Sequence, residues 1–253
     1  MAELFVTLVK IMKKVFAFID ERCPKSAVSA LIREGFYPIP VPPFPRLSDP
    51  VSSHTDMLLF LADRTLISYA DYAEENEEFF KLVRSLTKDR GVNLRFISDA
   101  VSKEYPLDAR LNALSVGGRL FLKTDTAAGA LTEWAKSRGI RTVHTNQGYP
   151  ACTVLKLSDG AAVTADRGMA RIMSSKGIRV TLIEEGGVSL PPYSHGFIGG
   201  AAGVYRDTVY FVGKIEEHPS YNIIKSAALS EGLRLVSLGD TGLLDVGGIL
   251  FLE

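Results

Sequence analysis

Eight side chains of this sequence have types and placements that point to chemistry: Cys152, His54, His195, Asp56, Asp245, Arg110, Asn112 and Gln147. A cysteine served by a histidine is the smallest nucleophile-and-base pair, with Cys152 attacking as thiolate and His54 moving protons. Asp56 lies two residues from His54, so on a strand the pair would share a face. Asp56 and Asp245 offer negative charge to a cationic group, while Arg110 suits a substrate carboxylate through a bidentate pair. Asn112, Gln147 and His195 are neutral groups able to hold a polar ligand. Each residue also has a plainer reading. A free cysteine is most often a small buried hydrophobe. His195, among glycines, serves equally as a loop hydrogen-bonder, and Asp245, before Gly247-Gly248, equally as a turn residue. Cys23 stands before a helix start and is expected in an outer layer. Two histidines and one cysteine without close spacing make no zinc signature, so no metal and no cofactor is expected.

These residues must be positioned by a scaffold, and the stretch Asn146 to Ile183 shows its repeating unit. Cys152 to Leu157 alternates as a strand, Asp159-Gly160 is a hairpin turn, and Ala161 to Thr164 returns. Asp166 can cap a helix, Gly177 suits the left-handed residue that ends one, and Ile178, Val180 and Leu182 alternate as a third strand. A charged residue followed by glycine and an apolar residue recurs at Gly35, Gly91, Gly139, Gly177 and Gly232. These glycines lie about 40 to 55 residues apart, and a similar interval is recovered by counting from Gly232 through the C-terminus to Gly35. The chain therefore reads as five ββαβ units, one split across the termini. Such units bury a continuous core by stacking, and a ring leaves no exposed edge. In each unit the first strand starts, and the second strand and third strand end, at one common mouth. The long connectors gather there, and with them the candidate residues.

Composition bounds the rest. Among 253 residues, Lys+Arg and Asp+Glu are 29 each and the apolar fraction is 46%. That supports a sizeable core in a single domain over residues 1–253, and no basic run points to nucleic acid. Two cysteines in this length argue against a disulfide framework and fit the cytoplasm. The N-terminal stretch breaks its apolar runs with Lys10, Lys13 and Lys14, so neither a signal peptide nor a membrane span is read there; Leu4 to Met12 suits a short amphipathic helix. Six prolines between Tyr37 and Pro50 predict a stiff extended connector.

Five ββαβ units closed across the termini resemble the pentein superfamily, the guanidino-group-modifying β/α propellers. The stretches Asn146–Thr153, His195–Gly200, Glu217-His218-Pro219 and Leu243–Leu252 resemble an uncharacterised bacterial family of that fold. The resemblance implies an α/β, five-bladed pseudo-symmetric propeller. It also implies a cysteine-dependent hydrolase or transferase acting on a small amidine-, guanidine-like or amide substrate at the axial mouth. His54-Thr55-Asp56 matches the HxD pair of those enzymes, which supplies an acid/base and a carboxylate. Their C-terminal GGxxC nucleophile is missing, because Gly247-Gly248 is followed by Ile249, Leu250 and Phe251. Cys152 occupies the equivalent strand start of an earlier unit. The alternative is a non-catalytic member of the fold that binds a small metabolite or a partner protein.

Overall fold

The five glycines that follow helices all take positive φ, from 63° at Gly91 to 91° at Gly35. Only a residue without Cβ turns the chain back toward the sheet there at little cost. The computed structural model describes residues 14–253, so the helix expected over Leu4 to Met12 lies outside the described residues. The fold is mixed α/β. β1 (Val15–Asp20) runs between parallel β2 (Phe36–Val41) and antiparallel β17 (Leu250–Leu252). The same pattern, antiparallel on one side of a central strand and parallel on the other, occurs four more times. It appears in β3–β4–β5 (Phe60–Ala62, Thr65–Tyr69, Asn93–Ile97) and β6–β7–β8 (Leu114–Val116, Arg119–Leu122, Arg141–His144). It appears again in β9–β10–β11 (Val154–Lys156, Ala161–Thr164, Arg179–Leu182) and β13–β14–β15 (Ala202–Tyr205, Thr208–Val212, Arg234–Leu238). A short parallel pair, β12 (Val188–Ser189) with β16 (Leu243–Leu244), joins two long connectors.

Local sequence explains most of these elements. Gly117 and Gly118 both have positive φ, as a two-residue hairpin between β6 and β7 requires. Asp166 accepts the Met169 amide at 2.8 Å and caps the helix Arg167–Ser174. The central strands β4, β10 and β14 are buried along their whole length, so they read as apolar runs with threonine and serine, not as alternating ones. Trp134 packs in the core against Phe60 with ring centroids 5.0 Å apart.

Three expectations are corrected. The stretch after Tyr37 is not all connector: Phe36–Val41 is the edge strand β2, and Pro38 and Pro40, two apart, place both missing N–H groups on one edge. The long helix breaks at Asn76, whose side-chain amide donates to the Tyr72 carbonyl at 3.2 Å and terminates the first segment at Glu75. Cys152 is not on a strand: Pro150 opens a helical turn, Pro150–Thr153, before β9 begins at Val154.

The edge strands β3, β6, β9, β13 and β17, one from each three-stranded sheet, line one cavity of about 500 Å³. Strand β17, which pairs with β1, should be energetically central. Leu252→Ala, a change at a 4% exposed site, should cost about 2–4 kcal/mol in denaturant unfolding. Leu229→Ala, at a 60% exposed site, should stay within about 0.5 kcal/mol. Equal losses at the two positions would contradict the role given to β17.

Candidate active site

His54 and Asp56 sit at the start of a single helical turn, Thr55–Leu58, between the proline-rich connector and β3. Contacts with the C-terminal connector fix that turn. The Asp56 amide donates to the Gly247 carbonyl at 3.2 Å. The Thr55 hydroxyl donates to the carbonyls of Gly247 at 2.5 Å and Gly248 at 3.0 Å. A Cβ at Gly247 would lie 2.4 Å from the His54 Cβ, and φ there is 69°, so only glycine lets the two segments approach this closely.

Cys152 projects from the Pro150–Thr153 turn into the same place. Its Sγ lies 2.6 Å from Asp56 Oδ2 and 3.2 Å from Asn112 Nδ2. Asn112 is itself held by the Ala151 amide, which donates to its Oδ1 at 2.8 Å. Donor atoms of His54, Asp56 and Cys152 all fall within 4.8 Å of one another. Asp245 completes the group. It takes backbone N–H bonds from Phe197 at 2.8 Å and Gly247 at 3.0 Å, and its Oδ1 is 3.9 Å from His54 Nδ1. Asp20, a residue the sequence reading passed over, lies on the other side of the imidazole, 4.0 Å from Nε2. Arg22 clamps Asp20 through Nε at 2.9 Å and Nη2 at 2.5 Å. A carboxylate ending an otherwise apolar strand, two residues before an arginine, was the available signal for Asp20.

All of these side chains except the partly exposed Arg22 are buried, and burial governs their protonation. Loss of water pushes the Asp56 carboxyl up to about 8, although the hydrogen bond from Cys152 opposes the shift. Burial, reinforced by Asp56 and Asp245, holds the Cys152 thiol well above its ordinary range. Burial also lowers His54, against the pull of Asp245 and Asp20. Asp245 is raised by burial, opposed by His54. The resting arrangement is therefore a protonated thiol beside carboxyl groups and a neutral imidazole. His54 Nδ1 and Asp56 Oδ1 are buried with no hydrogen-bond partner.

The other candidates lie apart from this cluster. Arg110 is ion-paired with Asp99 at 3.2 Å. Gln147 donates to Asp166 at 2.9 Å and accepts the Tyr149 amide at 3.1 Å. The His195 ring nitrogen contacts the Gly196 carbonyl at 3.2 Å. Gln147 and His195 line a separate cavity of about 390 Å³, bordered by Asp166, Glu184, Phe197 and His218. Cys23 is buried and raised to about 12, chiefly by loss of water, so its thiol is inert at neutral pH. No helix among the described residues is long and apolar enough to cross a membrane.

A family model described as "Family of unknown function (DUF6873)" matches residues 18–250. No curated protein matches this sequence. Solved structures share its fold. Dimethylarginine dimethylaminohydrolase from Pseudomonas aeruginosa, solved with citrulline, aligns with TM-score 0.55 and 13% identity, covering 90% of this chain and 92% of that one. Inosamine-phosphate amidinotransferase from Streptomyces griseus aligns with TM-score 0.53 and 15% identity over 87% of this chain and 75% of that one. The N-terminal domain of ArgZ, a cyanobacterial arginine dihydrolase, gives 0.55 and 13% over 95% and 97%. These are pentein superfamily members, so the resemblance read from the sequence holds at the level of the fold.

The protonation of Asp56 has a measurable consequence. In the unfolded chain its carboxyl titrates near 3.8, and burial in the folded chain raises it to about 8. Between these values the unfolded state binds fewer protons, so the contribution of Asp56 to stability declines as pH rises. Asp56→Asn removes that dependence. The melting temperature of the wild type relative to Asp56→Asn should fall steadily across this interval in paired calorimetric scans, and parallel pH curves would contradict the assignment.

Proposed function

Since the chain belongs to the DUF6873 family and has the fold of amidino-group-modifying enzymes, we propose that it is a cysteine-dependent hydrolase or transferase acting on a small amidine- or guanidine-like substrate. The observation that carries this reading is the thiol of Cys152 buried against Asp56 with His54 and Asp245 at hand. An amidinium group entering beside Asp56 and Asp245 brings a positive charge that offsets the carboxylates and favours thiolate. Neutral His54 accepts the thiol proton as sulfur adds to the amidine carbon. The carbon–nitrogen bond to the leaving amine then breaks, and the imidazolium returns the proton to that amine. Water, or an acceptor amine in a transferase, releases the carbon from sulfur and regenerates the thiol. Asn112, within hydrogen-bond reach of Sγ, orients the nucleophile.

The same proposal includes the architecture. We read the five sheets as blades of a closed propeller within one domain, with β17 and β1 sharing the blade that spans the termini. The cavity lined by one edge strand of each sheet supports this reading. The ligand is a small molecule and the compartment the cytoplasm; nucleic acid and membrane are not partners in this reading. Arg110, Gln147 and His195, which stand apart from the cluster, contact the substrate in this reading only where it extends beyond its amidine group.

Two observations favour a second reading. The thiol is held protonated at rest, and Ile249 to Phe251 supply no cysteine after Gly247-Gly248. A binding protein of this fold would keep the carboxylate cluster for a cationic metabolite without turning it over.

Alkylation separates the two. A cationic haloacetamidine should modify Cys152 faster than the neutral haloacetamide by about tenfold or more, equivalent to ~1.4 kcal/mol. Asp245→Asn should erase the preference. Mass spectrometry of the modified peptide, with ammonia release from a panel of guanidino compounds, provides the readout. An unmodified Cys152 together with no ammonia would leave only the binding reading.

A further inference from the structure

The donor set of the buried cluster has a use that does not depend on the chemistry proposed above. A thiol, an imidazole and a carboxyl, from Cys152, His54 and Asp56, present ligand atoms within 4.8 Å of one another. Two further features point inward. His54 Nδ1 and Asp56 Oδ1 are buried and lack any hydrogen-bond partner, in residues 1% and 6% exposed. Buried polar atoms of this kind are uncommon, and each calls for a partner. Asp245 Oδ1 lies 3.9 Å from that same imidazole nitrogen.

We infer that His54, Asp56 and Cys152 form a binding site for a divalent zinc ion, with Asp245 beside the fourth position. Sulfur and nitrogen donors exclude magnesium and calcium as the preferred ions, since those take oxygen ligands. One thiolate, one imidazole and one or two carboxylates suit a borderline-soft ion that accepts four ligands. Charge also favours it, because the ion brings two positive charges to a site where, among the described residues, Asp20, Asp56 and Asp245 outnumber the nearby cation Arg22. Binding forms the zinc–sulfur bond and breaks the sulfur–hydrogen bond, and the proton leaves to solvent. The supports that such ligands need are already in place. Asp245 is fixed by two backbone amides, and Asn112 sits 3.2 Å from Sγ. Asp56 borders the cavity of about 500 Å³ lined by the five edge strands, which gives an ion a path to the cluster.

A metal-bound sulfur is not free to attack carbon, so zinc occupancy and the alkylation described above exclude each other. The test is titration of the full chain, metal-free, with Zn2+ alone by calorimetry and with Co2+ alone by absorption. One equivalent should bind, and cobalt should give a near-ultraviolet thiolate charge-transfer band. Cys152→Ser should abolish the band and His54→Gln should weaken zinc by about 100-fold, while Cys23→Ser should leave both unchanged. Should a site variant fail to melt cooperatively, the wild type still decides: one equivalent of Zn2+ should bind by calorimetry and displace Co2+ with loss of the thiolate band, and zinc should protect Cys152 wherever haloacetamidine alkylates the metal-free protein. No stoichiometric binding, a band that survives Cys152→Ser, or zinc that fails to slow an alkylation seen in the metal-free protein would overturn the inference. None of these outcomes bears on whether the metal-free protein is alkylated or releases ammonia, so the two readings fail separately.

Discussion

The contact between the Thr55–Leu58 turn and the Gly247-Gly248 pair is the constraint on which the rest depends. It joins segments from opposite ends of the sequence by three hydrogen bonds to two carbonyls. The same contact places His54 and Asp56 against Asp245. Joining these two segments and bringing His54 and Asp56 to Asp245 are thus one and the same contact. Neighbouring glycines make it feasible: a Cβ at Gly200 would fall 2.0 Å from Asp245 Oδ1, and one at Gly247 would collide with His54. Backbone takes the place that side chains would fill, and the carboxylate is gripped by amides.

Burial then sets the chemistry. Three carboxyl groups share a water-poor region with one imidazole and one thiol, and only Asp20 has an arginine partner. Without compensation such groups resist ionisation, which explains a raised Asp56, a raised Cys152 and a lowered His54 together. A site of this character responds strongly to any cation placed in it, whether an amidinium group or a metal ion. Its selectivity among cations comes from shape and donor type as much as from charge.

The repeating architecture accounts for the convergence. Cys152, Asn112, Asp56 and Asp245 each lie just before the first strand of a unit, at the positions where connectors enter the sheets. Arg110 stands at a similar position but turns to Asp99, and His195 turns toward its own loop. Placement before a first strand is therefore shared, whereas direction depends on the local turn. The Pro150 turn aims Cys152 inward, and a strand there would have aimed it by alternation instead.

The amino-acid sequence alone determined the grammar of the fold. Glycines after helices, the hairpin at Gly117-Gly118, the Asp166 cap and the split unit completed by Leu250–Leu252 are local signals, written in conformational freedom and capping chemistry. It also marked His54, Asp56, Asn112, Cys152 and Asp245 by residue type and position before strands. Tertiary structure alone decided that those five meet and that Asp20 joins them, and it sent Arg110 and Gln147 to other partners. The physical reason is range. Caps and turns are fixed within a few residues, while the approach of Asp56 to Cys152 spans 96 residues and that of Thr55 to Gly247 spans 192, so both depend on the packing of the sheets between them.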